Sequence, residues 1–159
     1  MKAGRVVVGS MFALQIASLA AANVPVRQAV PREGYRAFAG LLSISSAVRD
    51  PRKLAACYEF LNWWHSGFAG AKNLQEGYYT AVQATSRPFM APGEYAYWIE
   101  GKRADRAYPG PFGDKSVPRG GVRESGSLAQ HACRISSWNS TPTQLPYFLE
   151  RWQQFISTF

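Results

Sequence analysis

The stretch Leu54–Tyr79, LAACYEFLNWWHSGFAGAKNLQEGYY, governs the reading of this chain. Leu54, Cys57, Tyr58, Leu61, Trp64 and Phe68 recur at the i, i+3, i+4 spacing of one helical face. Phe60 and Trp63 widen that face, which predicts a helix covered on more than one side. Upstream, Asp50-Pro51 is a helix start: an Asp side chain accepts from the free N–H groups of the first turn, and Pro fits the first helical position. The pattern therefore predicts a helix over Pro51–His65, a break at Ser66-Gly67, a second helix over Ala69–Gln75 and a stop at Gly77. Tyr78 and Tyr79 follow in a loop. By the same periodicity Trp63 and Trp64 read as core rather than as a ligand box, and Cys57 as a small filler on the buried face.

Working outward, Val24–Val30 reads as a short strand, Pro31–Gly34 as a turn and Tyr35–Ser45 as a second extended run. Residues 78–91 form a loop, Pro92–Glu100 a short helix closed by Gly101, and Lys102–Gly126 a long Gly- and Pro-rich loop with a short hairpin. A loop of that length is uncommon unless it is functional or packs on something else. Ser127–Ser137 has helical character, and Thr141–Phe159 is a terminal helix with Leu145, Phe148, Leu149, Trp152, Phe155 and Ile156 in one stripe. Trp98, Trp138 and Trp152 are expected in the core or in packing between lobes.

The first 22 residues admit two readings. Lys2 and Arg5, the apolar run Val6–Ala22 and Ala20-Ala21-Ala22 imitate a secretory leader. Equally, Val6-Val7-Val8 is a buried strand, Gly9-Ser10 a turn and Met11–Ala22 a helix. The run is too short and too polar to span a membrane.

At 159 residues and 47% hydrophobic content, the chain is long enough for one domain with a real core. Its formal charge of +8 suits nucleic acid, an anionic surface, or a basic exported protein. The Lys and Arg residues are scattered, and no zinc spacing or RNA-binding motif accompanies them, which disfavours nucleic acid. Two cysteines, Cys57 and Cys133, permit one disulfide at most and belong to no CxxC pair. His65 and His131 have no triad or HExxH setting, and Glu59, Glu76, Glu94 and Glu100 read as solvated helix residues. No catalytic group, metal site or cofactor is expected.

The words VVVGSMF (Val6–Phe12), VPREGYRAF (Val30–Phe38), YEFLNWWHSGFAGA (Tyr58–Ala71), GYYTAV (Gly77–Val82), GEYAYWIEGKRAD (Gly93–Asp105) and the run from Trp138 to Phe155 stand in a telling order. Together they resemble the C-terminal half of extracellular solute-binding proteins of ABC transporters, the spermidine/putrescine-type periplasmic receptors. The resemblance implies an α/β, type II periplasmic-binding-protein-like fold, with helices packed on a short mixed sheet. Residues 1–159 would form a single partial domain that lacks the N-terminal lobe. It also implies a periplasmic location, an ABC permease as membrane partner, and a small polar or cationic, polyamine-like solute. Within that family VVVGSMF is an internal strand and loop, which favours the structural reading of the first 22 residues.

Candidate ligand contacts follow from the resemblance together with the placement of loops at strand ends. Ser10 and Phe12 follow the first expected strand, Ser10 having helix capping as its other role. Glu33 and Tyr35 flank a turn, where a carboxylate beside aromatic faces suits an ammonium group; pairing of Glu33 with Arg32 or Arg36 is the competing role. Phe38 stands where polyamine receptors place a stacking Trp, and Gly40 where they place an amine-gripping Asp, a departure that weakens the case for a polyamine. Tyr78 and Tyr79 lie where the family approaches its cleft, or else pack beneath their loop. Two further classes compete: a small secreted hydrolase, for which no carboxylate pair is found, and a basic interaction module of the envelope.

Overall fold

A computed structural model of the chain describes residues 1–110, 113, 115–141 and 143–158. Among them six helices alternate with short strands: α1 (Ala13–Ala21), β1 (Tyr35–Ala37), α2 (Pro51–His65), α3 (Phe68–Gln75), α4 (Glu94–Glu100), β2 (Tyr108–Pro109), β3 (Lys115–Val117), α5 (Leu128–Ala132), β4 (Ile135–Trp138) and α6 (Leu145–Ile156). A 3₁₀ turn, Ala84–Phe89, lies between α3 and α4. The architecture is mixed helix and sheet. The expected single mixed sheet is instead two separate pairs: β1 with β4, parallel, and β2 with β3, antiparallel.

Helix ends follow local chemistry. Asp50 caps α2 by accepting from Arg52 N at 2.9 Å, with Pro51 in the first turn. The other end of α2 closes where Ser66 Oγ donates to the Trp63 carbonyl at 2.7 Å. Gly67 then turns the chain with φ of 120°, and a Cβ placed there would lie 1.9 Å from the Thr85 carbonyl oxygen. Thr85 Oγ1 donates to the His65 carbonyl at 3.0 Å, so the α2–α3 corner is fastened to the 3₁₀ turn. α5 opens with a capping box between Ser127 and Gln130.

The core is compact in membership. Leu74, Tyr97, Trp98, Ala104, Tyr108 and Val117 bury one another, with Tyr79, Met90, Ala91 and Ile99 packed around them. It joins α3, α4 and the β2–β3 hairpin. Glu94 is 1% exposed, against the expectation of a solvated face. Its carboxylate accepts from Gln75 Nε2 at 3.1 Å and from Ala91 N at 2.9 Å, which meets the hydrogen-bonding need of a buried acid. Tyr108 donates to Asp105, and burial together with that hydrogen bond pushes its phenol up to about 12.

Several expectations are corrected. Val6-Val7-Val8 is not a strand, and Val7 is 88% exposed. Val24–Val30 is not a strand either, and the run from Tyr35 shrinks to three residues. A strand needs a partner ladder, and of these three runs only the one from Tyr35 meets one among the described residues, at β4. Ser127–Ser137 divides into a short helix and the strand β4. The terminal helix runs over Leu145–Ile156; its expected last residue, Phe159, lies outside the described residues.

The largest correction concerns α2, which has no buried residue. Trp63 is 49% exposed, Trp64 and Cys57 are half-buried, and nothing among the described residues covers the helix on a second side. Trp138 and Trp152 are exposed as well, so of the three tryptophans expected in the core or in packing between lobes only Trp98 lies in the core. Both cysteines are free thiols.

The corner at Gly67 yields a direct test. Gly67→Ala is expected to lower the unfolding free energy by about 3 kcal/mol, through strain at positive φ and collision with the Thr85 backbone. Urea denaturation reads it, and an unchanged midpoint would contradict the corner described.

Candidate functional site

Two aromatic groups contain residues nominated for ligand contact. The first is beside the carboxyl end of β1, where Phe38 follows Ala37. Phe12, at the N-terminal boundary of α1, meets Phe38 edge to face with ring centres 5.3 Å apart. Both rings stay about half exposed.

The second is larger and lies at the start of β1. Parallel pairing with β4 begins when Tyr35 N donates to the Arg134 carbonyl at 2.7 Å. The approach is close enough that Gly34, with φ of 93°, has no room for a Cβ beside the Arg134 oxygen. Residue 134 follows α5 closely, so the pairing carries His131 to Tyr35. Their rings stack with centres 4.6 Å apart, and Tyr79 approaches the other ring partner, His131, at 5.6 Å.

Arg123 completes this cluster. Its guanidinium lies 5.2 Å from the ring centre of Tyr79 and 5.0 Å from that of Trp98. It also donates to the Tyr79 hydroxyl and to the Trp98 carbonyl. Cation–π attraction of this kind contributes roughly 0.5–2 kcal/mol per face. Burial raises the phenol pKa of Tyr79 and Tyr35 against the opposing charge of Arg123, joined at Tyr35 by Arg134. Burial, then the Arg123 charge, holds His131 below its ordinary range. Tyr35 Oη, Trp98 Nε1 and His131 Nδ1 are buried with no hydrogen-bond partner among the described residues.

Next to Arg123, Glu124 fastens a distant segment. Its carboxylate accepts from Arg27 Nε at 2.6 Å and from Gln28 N at 2.8 Å. An open groove lies along Arg27, Gln28, Val30, Val122 and Glu124.

Of the seven candidate contacts, the structure thus unites Tyr35 with Tyr79 and Phe12 with Phe38. Ser10 lies exposed before α1 and does not cap it; Gln15 does, accepting from Phe12 N at 2.7 Å. Glu33 is exposed and forms no ion pair with Arg32 or Arg36. Tyr78 donates its backbone N–H to the Asn73 carbonyl and takes no part in either aromatic group. Sequence reasoning passed over Arg123 and His131. The signal for Arg123 was the length of the Lys102–Gly126 loop, whereas His131 belongs to no motif and is placed only by β1–β4 pairing. No group of three His, Cys, Asp or Glu side chains among the described residues is arranged to hold a metal ion.

Two outcomes are expected here. Arg123→Met should cost about 1–3 kcal/mol by removing both the ring contacts and the donors to Tyr79 and Trp98, measured by chemical denaturation. The lowered pKa of His131 means that the unfolded chain binds more protons than the folded one at mildly acidic pH. The stability conferred by neutral His131 is present above about pH 6.5 and is lost as pH falls below it. Between pH 7.5 and 5.5 the wild type should therefore lose more stability than His131→Phe, and parallel losses would refute the packing of His131. No family model matches the chain, and no curated protein or solved structure is significantly similar to it.

Proposed function

We propose that this chain is the solute-recognising component of an ABC importer, of the spermidine/putrescine receptor kind, and contributes part of a type II binding-protein fold. One observation carries the reading. Tyr35 and Tyr79, nominated by the sequence for ligand contact, converge on His131 from separate segments. Three buried polar atoms in that cluster have no partner among the described residues. Aromatic walls with a few convergent polar atoms suit a small polar solute. The half-exposed faces of Phe12 and Phe38, and the Glu33 carboxylate in the turn before β1, which forms no ion pair among the described residues, supply the groups that attract an ammonium.

Two features shape the solute class. Arg123 already occupies one face of Tyr79, so an incoming cation is left with Tyr35, Phe38 and Phe12. Gly40 replaces the amine-gripping Asp of polyamine receptors, which widens the class to other small polar or cationic molecules. In this reading the solute is clasped between two lobes, and hinge closure precedes docking on a permease in the membrane. A periplasmic location is part of the same proposal. Among the described residues, no helix is long and apolar enough to cross a membrane.

A basic interaction module of the envelope, without solute binding, is the second reading. The uncovered aromatic faces of α2 and α6 favour it. Titration calorimetry with spermidine, putrescine and small quaternary amines separates the two. The receptor reading expects saturable binding of at least one amine, weakened about 10-fold or more by Tyr35→Ala or Phe38→Ala. Absence of heat and of any thermal shift with all of these probes would leave the interaction module.

A further inference from the structure

From the exposed stripe of α6 we infer that this chain self-associates, with α6 pairing antiparallel against α6 of a second copy. The inference is independent of the solute site. α6 buries none of its residues, yet Leu145, Phe148, Leu149, Trp152, Phe155 and Ile156 lie within roughly 120° of its circumference. They are between 38% and 59% exposed. A stripe so continuous is not the scattered apolar exposure of an ordinary surface.

Area favours a second copy as the occupant. These six side chains offer on the order of 650 Å² per copy, or about 1,300 Å² in a symmetric pair, within the range of stable interfaces. The chain has area to cover: it exposes 11877 Å², whereas a compact monomer of its mass exposes about 7,900 Å². The stripe is also self-complementary. About a two-fold axis at the middle of the helix, Leu145 lies opposite Ile156 of the second copy, and Leu149 opposite Trp152, each contact occurring twice.

Charge disfavours the lipid alternative. The polar side of α6 carries one acid, Glu150, and one base, Arg151. Gln154 bonds to both, donating to Glu150 Oε1 at 3.1 Å and accepting from Arg151 Nη1 at 2.9 Å. The helix is therefore neutral, and lacks the Lys- and Arg-rich polar face by which amphipathic helices hold anionic membranes.

Sedimentation velocity of the full chain over a roughly micromolar to submillimolar range tests the inference. The expected result is a monomer–dimer equilibrium. Leu149→Glu or Trp152→Glu should weaken it by about 100-fold or more, because each charge enters the interface twice. Gln154→Ala, on the far side of α6, should leave it unchanged. A wild type that stays monomeric throughout, or a dimer indifferent to the 149 and 152 substitutions, would overturn the inference. So would a monomer that instead sediments with phosphatidylserine vesicles. Hydrogen exchange on the wild type needs no variant: amides of α6 should slow as protein concentration rises, and concentration-independent exchange there would also overturn it.

Discussion

The guanidinium of Arg123, set against the rings of Tyr79 and Trp98, is the contact on which the rest of the molecule depends. Trp98 belongs to the small core, and Tyr79 leads through His131 to Tyr35 and the β1–β4 pair. One side chain thereby joins a body built from α3, α4 and the hairpin to strands brought from both ends of the chain. Arginine suits the task because its planar, permanently charged group stacks on rings while its edges donate. Desolvation of the charge is offset by two π-faces and by the Trp98 carbonyl and Tyr79 hydroxyl. Glu124, the next residue, ties down Arg27 and Gln28, so two consecutive loop residues fasten the core and a segment remote from it in sequence.

Helices were legible in the sequence because their signals are local. Asp50, Pro51, Gly67 and Gly101 mark ends through capping and turn chemistry that each short segment carries by itself, and α2 begins and ends where those residues place it. Strands were poorly legible. Val6–Val8 and Val24–Val30 have the right composition, but a strand exists only where another chain segment accepts its hydrogen bonds. Periodicity showed in the same way that α2 and α6 each have an apolar face; it carries no information on whether another layer covers that face. Trp63 reads as core for this reason, and it lies about half exposed.

The candidate site was half legible. Tyr35, Tyr79, Phe12 and Phe38 are aromatic residues beside turns, a local feature, and the structure gathers them into two groups. His131 and Arg123 enter through pairings between remote segments that no spacing encodes. Glu94 shows the converse: a carboxylate early in a short helix looks solvated in sequence, yet it lies buried because Gln75 and the Ala91 amide turn toward it. Its burial depends on α3 and α4 packing together, which is a property of the tertiary structure alone.

The parallel contact between β1 and β4 also sets an order of folding. Ser136 and Tyr35, hydrogen-bonded at 3.2 Å, are 101 residues apart, so their meeting closes well over half of the chain into a loop. Closing an unstructured loop of that length costs more chain entropy than closing a short one, by about 0.6 kcal/mol for each doubling. The α2–α3 corner and the hairpin involve only neighbouring residues and shorten the effective loop when they form first. Contacts of such separation are the slow step in chains of mixed topology. The stacking of Tyr35 on His131 accordingly carries one of the larger loop-closure costs in the molecule, and forms more readily once the intervening helices have shortened the loop.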